Sequence, residues 1–294
     1  MTPDRRPIGF IGLGVMGLPV AMNLLRSGAR LVVWNRSAGK CAPLLAVGAE
    51  VAPTVSALFD AADTVIVMLA TAAVMDAVLG RGTPAFAARM RGHTVINTGT
   101  SSPAYSLALA ADIAAAGGCY IECPVSGSAE QARAGQLVGM LAGDPETIAG
   151  VRPQLSSMLR DSFVCGPVPS ALRMKLAVNL YLITMVTGLC EAFQFAEVQA
   201  LDLHQFQAIL DAGPMASSVS THKLRKLVNR DTSVEASIDD VLKNSRLIAD
   251  EARRAGIVSP LLDVCHALFA KAVNLGLGAQ EMVMVVRSIA ENRA

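Results

Sequence analysis

An apolar run that breaks into three glycines, Ile8-Gly9-Phe10-Ile11-Gly12-Leu13-Gly14-Val15-Met16-Gly17, constrains this chain more than any other stretch. It reads as a buried strand, a tight turn and a helix that starts around Gly14. The spacing suits a turn that holds a dinucleotide pyrophosphate. Gly12 permits the turn, Gly14 lets the backbone approach the phosphates and Gly17 lets the helix press against the strand, while the free N–H groups and dipole of the helix start attract negative charge. Gly12, Leu13, Gly14, Val15 and Met16 are the candidate cofactor contacts here. A purely structural glycine turn would use the same residues. Context favours the cofactor, because Pro19 to Leu25 continues in helical period and a second strand, Leu31-Val32-Val33-Trp34, follows Gly28.

In such a unit a carboxylate about 20 residues on usually ends the second strand and accepts hydrogen bonds from the ribose of NAD. Asn35 stands there instead, followed by Arg36 and Ser37, with Lys40 close behind. A group that would repel a 2′-phosphate is missing, and a planar cation able to grip one is present. Asn35, Arg36 and Ser37 are therefore assigned to the cofactor, with NADP favoured over NAD. The plainer role for Arg36 and Lys40 is to solvate a surface loop.

With 294 residues, 52% of them hydrophobic, the chain can bury a large core and is expected to form two domains. A net charge of +1 makes no electrostatic case for nucleic acid. The few basic clusters, Arg5-Arg6, Arg253-Arg254 and Lys223 to Arg230, read as solvated helix faces. The longest uncharged apolar stretch, Leu176 to Cys190, carries Asn179, Thr184 and Thr187, is too short to span a bilayer and reads as a buried helix, so no membrane partner is expected. Asp4-Arg5-Arg6-Pro7 runs straight into the first strand, leaving no room for a signal peptide and pointing to the cytoplasm. Cys41, Cys119, Cys123, Cys165, Cys190 and Cys265 lack paired ligand spacing, so no metal is expected and free thiols are the default.

Alternation of apolar strands and helices continues through Thr64 to Leu69, Thr94 to Asn97, Cys119 to Cys123 and Leu137 to Ala142, as suits a parallel sheet covered on both faces. Ser162 to Pro169 is a short strand and a proline-bounded junction, beyond which no strand pattern recurs. Ser170 begins a long helix through about Gln199, and Asp239 to Ala255 and Pro260 to Leu275 are further helices stopped by Gly256 and Gly276. The expected architecture is α/β: a Rossmann-type dinucleotide-binding domain over residues 1–166, followed by an all-helical substrate and dimerisation domain over 167–294.

In the second half Lys175 and Asn179 are most informative, four apart at the start of an uncharged helix and so on one face. An ammonium beside a carbonyl can donate a hydrogen bond as hydride arrives and then supply the proton, with the amide holding it in register. A lysine snorkelling at a helix start explains the same residue. The loop Glu122 to Gly135, with Ser126, Gly127 and Ser128, offers hydroxyls and N–H groups for a carboxylate, or simply a turn in which Ser128 caps a helix. Leu69 and Thr100 follow apolar strands and are candidate cofactor contacts, although Thr100 would equally serve as a turn residue. Lys243 can be an exposed helix cation, and His93, His204, His222 and His266 show no triad or metal pattern.

Taken together, Gly9 to Gly17, Pro124-Val125-Ser126-Gly127 with Ala132 and Gly135, Lys175 with Asn179, and Lys243 resemble the β-hydroxyacid dehydrogenase family over nearly the whole chain. That family includes 3-hydroxyisobutyrate dehydrogenases, tartronate semialdehyde reductases and glyoxylate/succinic semialdehyde reductases. The resemblance implies that Lys175 is the acid/base, that Ser126 and Gly127 bind a substrate carboxylate, that Asn179 contacts substrate, and that Thr100 and Lys243 lie near the nicotinamide. It implies NADP(H)-dependent hydride transfer on a small 3-hydroxy acid or carboxylate-bearing aldehyde, and Trp34-Asn35-Arg36-Ser37 with Lys40 is most similar to the glyoxylate/succinic semialdehyde reductase branch. A homodimer through the helical domain is expected. The chain departs from the family pattern at Ser128 (glycine), Glu122 (aspartate), Asn244 (aspartate) and near Ala236 (phenylalanine). Alternatives are an imine reductase on the same fold, in which Asp or Tyr usually replaces the lysine, and a silent cofactor-binding interaction protein.

Overall fold

The computed structural model describes residues 6–291. The chain divides into two compact units, Met1–Lys175 and Leu176–Ala294.

The first unit is built on nine strands: β1 (Ile8–Ile11), β2 (Leu31–Trp34), β3 (Glu50–Val51), β4 (Thr64–Val67), β5 (Thr94–Asn97), β6 (Cys119–Glu122), β7 (Val125–Ser126), β8 (Leu137–Ala142) and β9 (Leu159–Gly166). They form one sheet in the order β3-β2-β1-β4-β5-β6-β8-β7, with β9 beside β8. Strands β1 to β6 are parallel. Their side chains alternate between two cores: Ile66 and Ile96 join Phe10 on one face, while Val65, Val67 and Val95 join Ile11 and Val32 on the other. Burial on both faces is why these strands read as continuous apolar runs. Helices include α1 (Gly17–Arg26), α2 (Pro103–Ala115) and α3 (Ala129–Ala134).

Strand β8 departs from the expected parallel arrangement, since it pairs antiparallel with β6 through Glu122 and Ala142 and with β7 through Val125 and Gly139. Only the two-residue β7 and the six-residue α3 lie between β6 and β8. A crossover to a parallel neighbour usually takes a full-length helix, so the chain folds back instead.

Helix α4 (Ser170–Val198) continues from the first unit into the second, where α5 (Leu203–Ala212), α6 (Ser218–Val228), α7 (Ile238–Arg254) and α8 (Pro260–Asn274) follow. Leu176, Ile183, Val186, Cys190 and Phe193 of α4 are buried in the core of the second unit. Their spacing of three, four and seven marks one helix face, and each large apolar side chain there contributes about 1.5–3 kcal/mol. The helix expected from Ser170 to about Gln199 runs from Ser170 to Val198; its uncharged stretch is too short to span a bilayer, but the whole helix is long and apolar enough to cross a membrane by length and composition alone. Charges at Lys175 and Glu191 interrupt the apolar run without ending the helix.

The Lys223 to Arg230 cluster is a solvated face only in part: Arg225 and Arg230 are exposed, but the two lysines are not. Lys223 is buried and donates to Glu281 at 2.5 Å, and Glu281 in turn accepts from the N–H groups of Glu235 and Ala236 at 2.7 and 3.1 Å. Lys226 is buried too and donates to the Ser233 carbonyl at 2.8 Å and to Asp231 at 3.2 Å. His222, expected to stand alone, faces Glu235 at 2.8 Å and Arg225 at 2.9 Å. These ion pairs pin the 231–237 loop that leads into α7.

Candidate functional site

Strand β1 lies between β2 and β4, so the chain reverses direction across the sheet at the β1/β4 boundary. A crevice opens outside the carboxyl ends of the strands at such a switch point. The turn after β1 fills that position. Gly12 has φ +102°, and a Cβ there would sit 2.3 Å from the Met68 carbonyl oxygen, so no side chain fits. Gly17 opens α1 against the same turn, and a Cβ on it would fall 1.9 Å from the Gly12 oxygen. Gly14 is different, because nothing lies within 4 Å of its missing Cβ. The helix proper begins at Gly17 rather than Gly14, although Leu18 N already donates to the Gly14 carbonyl at 3.1 Å. Among the described residues no acceptor meets the N–H groups of Gly14, Val15 and Met16. Three unpaired donors beside open space at a helix start fit a pyrophosphate.

Around this turn the loops after β2, β4 and β5 gather at the same sheet edge. Asn35 accepts from Leu13 N at 2.9 Å and donates to the Ser37 carbonyl at 3.0 Å, so its amide braces the glycine turn. Arg36, Ser37 and Lys40 are exposed beyond it. Leu69 is half-buried, and a Cβ on Gly99 would meet its carbonyl at 2.7 Å, which places the β4 and β5 loops in contact. Thr100 sits half-buried in the β5 loop, and beside it the Ser101 hydroxyl is buried with no partner among the described residues. An orphaned hydroxyl next to the open turn again fits a polar ligand.

Ser126 ends β7 and Gly127 is exposed after it. Ser128 turns both its N–H and its hydroxyl to the Gln131 side chain, at 2.8 and 2.6 Å, and so serves the start of α3. Its extended backbone needs no glycine, which is why a serine is tolerated there.

Lys175 and Asn179 lie one turn apart on the continuous helix α4 and both are buried, at 8% and 5% exposure. Burial pulls the Lys175 ammonium down to about 8. Among the described residues no carboxylate pairs with it, so nothing offsets the lost hydration. Lys243, on α7, is partly exposed and reaches Asp240 at 3.5 Å, and the Asn244 amide oxygen is buried without a partner among the described residues.

One network escaped the sequence. Glu122, at the end of β6, is fully buried; its Oε1 accepts from Ser106 Oγ at 2.5 Å, and its Oε2 accepts from the N–H groups of Ala171 and Leu172, both at 3.1 Å. Ser106 Oγ lies 2.9 Å from the Tyr120 hydroxyl, which accepts from Asn97 Nδ2 at 2.9 Å. Burial pushes the Glu122 carboxyl up, opposed by the Ser106 hydroxyl, the two N–H groups and the charge of Arg173. The sequence hinted at it only through a glutamate in a largely apolar strand, at a position where the family has an aspartate.

Residues 7–166 match the family model described as the NAD binding domain of 6-phosphogluconate dehydrogenase, and residues 170–289 match that described as NAD-binding of NADP-dependent 3-hydroxyisobutyrate dehydrogenase. The chain is 29% identical to glyoxylate/succinic semialdehyde reductase 1 of Arabidopsis thaliana, over 97% of this chain and 99% of that one. It is 26% identical to the chloroplastic reductase 2 of the same plant, over 98% of this chain and 82% of the relative. Cytokine-like nuclear factor N-PAC of Drosophila melanogaster is 25% identical over 98% of this chain, which spans 48% of that longer protein. Among solved structures, Psf3 in complex with NADP+ and 2-OPP superposes with a TM-score of 0.88 at 27% identity, over 96% of this chain and 99% of that one. A 3-hydroxyisobutyrate dehydrogenase from Salmonella typhimurium shares the fold at the same TM-score, 0.88, with 24% identity and coverage of 96% and 99%.

Proposed function

We propose, because the chain belongs to the β-hydroxyacid dehydrogenase family, that it is an NADPH-preferring reductase of small carboxylate-bearing aldehydes, or a 3-hydroxy acid dehydrogenase in reverse. The observation that carries this reading is the buried ammonium of Lys175, paired with no carboxylate among the described residues, with Asn179 one turn away. Stranding a charge without a partner costs stability, and such positions concentrate at sites of chemistry.

The Gly12 to Met16 turn would hold the pyrophosphate and Arg36 the 2′-phosphate, with Thr100 and Leu69 beside them. When bound, the nicotinamide supplies or receives the hydride. Lys175 hydrogen bonds the carbonyl oxygen and gives up its proton as that oxygen gains charge. Asn179 holds the same oxygen or the ammonium in register. Ser126 and the N–H groups around Gly127 clamp the carboxylate. Orientation before transfer is what such a clamp contributes.

The test is NADPH and NADH oxidation across glyoxylate, succinic semialdehyde, tartronate semialdehyde, methylmalonate semialdehyde and one cyclic imine without a carboxylate. Turnover of a carboxylate-bearing aldehyde with NADPH preferred is the expected result. Arg36→Asp should then cut NADPH efficiency by about 10–100-fold and spare NADH, since it replaces a charge-assisted contact with repulsion. Turnover of the imine alone, or tight NADPH binding without any turnover, would replace this reading with a reductase of imines or a silent cofactor-binding protein.

Within the second unit, Tyr181 and Phe195 of α4 are 70% and 67% exposed, and Gly188 and Ala192 lie between them on the same face. We assign this stripe to a homodimer. Sedimentation should show a dimer that the double change Tyr181→Glu with Phe195→Glu converts to monomer; a wild-type monomer at every concentration would refute it.

A further inference from the structure

Among the described residues, every hydrogen bond to the Glu122 carboxyl comes from a donor. Ser106 Oγ, Ala171 N and Leu172 N all give hydrogen bonds to it, so the geometry is that of a carboxylate. Two of those donors belong to the first turn of α4, where N–H groups have no partner within the helix and a negative charge is stabilised by the helix dipole. The cap thus comes from a residue 49 positions away in sequence from Ala171, at the end of a central strand.

Ala171 and Lys175 are four apart and occupy one face of α4. Wherever the first turn is held, the lysine one turn along is held with it. The other carboxylate oxygen leads elsewhere: Ser106 Oγ meets the Tyr120 hydroxyl, which accepts from Asn97 Nδ2, and Asn97 Oδ1 accepts from Gly99 N at 2.9 Å. The chain of bonds therefore ends in the loop that carries Thr100. Glu122 also pairs in register with Asn97 on β5 and precedes the Pro124 to Ser126 segment by two residues. One buried carboxylate touches the helix start and, through side chains, the loop on the dinucleotide side.

We propose that Glu122 is a positioning residue for Lys175, fixing the first turn of α4 against the β5 and β6 strand ends so that the ammonium stands at a set distance from the dinucleotide loop. The proposal rests on the reading of Lys175 as the proton donor. Glu122 does not touch substrate; it acts through the helix backbone.

The experiment compares Glu122→Gln and Glu122→Ala in the full-length protein by steady-state kinetics, NADPH affinity from fluorescence titration, and amide hydrogen exchange of the 170–178 segment. The amide keeps one oxygen for the two N–H groups but loses the charge and presents a donor to Ser106. Glu122→Gln should lower kcat about tenfold and Glu122→Ala about 100-fold, the scale expected when a catalytic group is displaced by about 1 Å. NADPH affinity should stay within about twofold, because the glycine turn is untouched, and exchange in the first turn of α4 should rise about tenfold or more in Glu122→Ala. A tenfold loss in the near-isosteric glutamine variant is what a mere core-packing role would not give, since Gln fills the same volume and lacks only the charge. Three outcomes would overturn the proposal: faster exchange with unchanged kcat, unchanged exchange in both variants, or kcat and NADPH affinity falling together. Lys175→Ala run alongside separates the two levels. If it keeps turnover, the site reading fails and this proposal with it; if it is inactive while Glu122→Gln is normal, this proposal alone fails.

Discussion

Lys175→Ala should lower kcat/KM for a carboxylate-bearing aldehyde by about 10²–10⁴-fold, the range for removing a positioned general acid. NADPH affinity should be unchanged, because Lys175 lies on α4 and the pyrophosphate turn lies between β1 and α1. The lysine's burial also dictates the pH behaviour. Its pKa is drawn down to about 8 because burial disfavours the charged form. Reduction needs the ammonium, so kcat/KM in that direction should be flat at low pH and fall as pH rises through about 8. Oxidation needs the free amine as base and should rise through the same pH. Lys175→Arg keeps the charge but should not rescue turnover, since a guanidinium stays protonated throughout and cannot hand over its proton. A single-turnover measurement of nicotinamide absorbance against pH checks both limbs; a reductive profile with no limb near 8 in the wild type would remove Lys175 from the proton transfer.

The strand-turn-helix unit was legible because it is local: Gly12, Gly14 and Gly17 sit within six residues, and Gly12 and Gly17 leave no room for a side chain. Lys175 and Asn179 were legible for the same reason, as an i, i+4 pair interrupting an apolar helix. What stayed hidden depends on partners distant in sequence. Lys223 and Lys226 read as surface cations until Glu281 and the 231–235 loop close over them. Strand β8 has the composition of its parallel neighbours, and its reversal follows from the short connection before it, not from its own residues. Glu122 looked like a variant of a family aspartate, and its tie to α4 needs the fold to bring residue 171 to residue 122. Ser128 shows the opposite case, in which a plain helix-start role accounts for the hydroxyl through Gln131.

Gly17→Ala should weaken NADPH binding by about 10–100-fold, the scale of losing roughly one hydrogen bond to a charged group. The conformation of Gly17 is not the obstacle, since it opens α1 as an ordinary helical residue. The obstacle is space: the new Cβ would lie 1.9 Å from the Gly12 carbonyl oxygen and 3.0 Å from its carbon. Neither side can yield easily. Gly12 N is bonded to the Trp34 carbonyl at 3.3 Å, and the next N–H, that of Leu13, is bonded to Asn35 at 2.9 Å, so the turn is tied to the end of β2. The helix must therefore move outward, displacing the N–H groups of Gly14, Val15 and Met16 that lead into it. Overpacking of this kind costs about 1–3 kcal/mol, which a domain with two apolar cores can absorb without unfolding. Gly14→Ala is the matched control, because its Cβ meets no atom within 4 Å and should leave the melting temperature of the free protein unchanged. It should still weaken NADPH, because that space is where the phosphates approach. Fluorescence titration and thermal melts of the two variants read the two effects separately, and wild-type NADPH affinity in both would place the dinucleotide somewhere other than this turn.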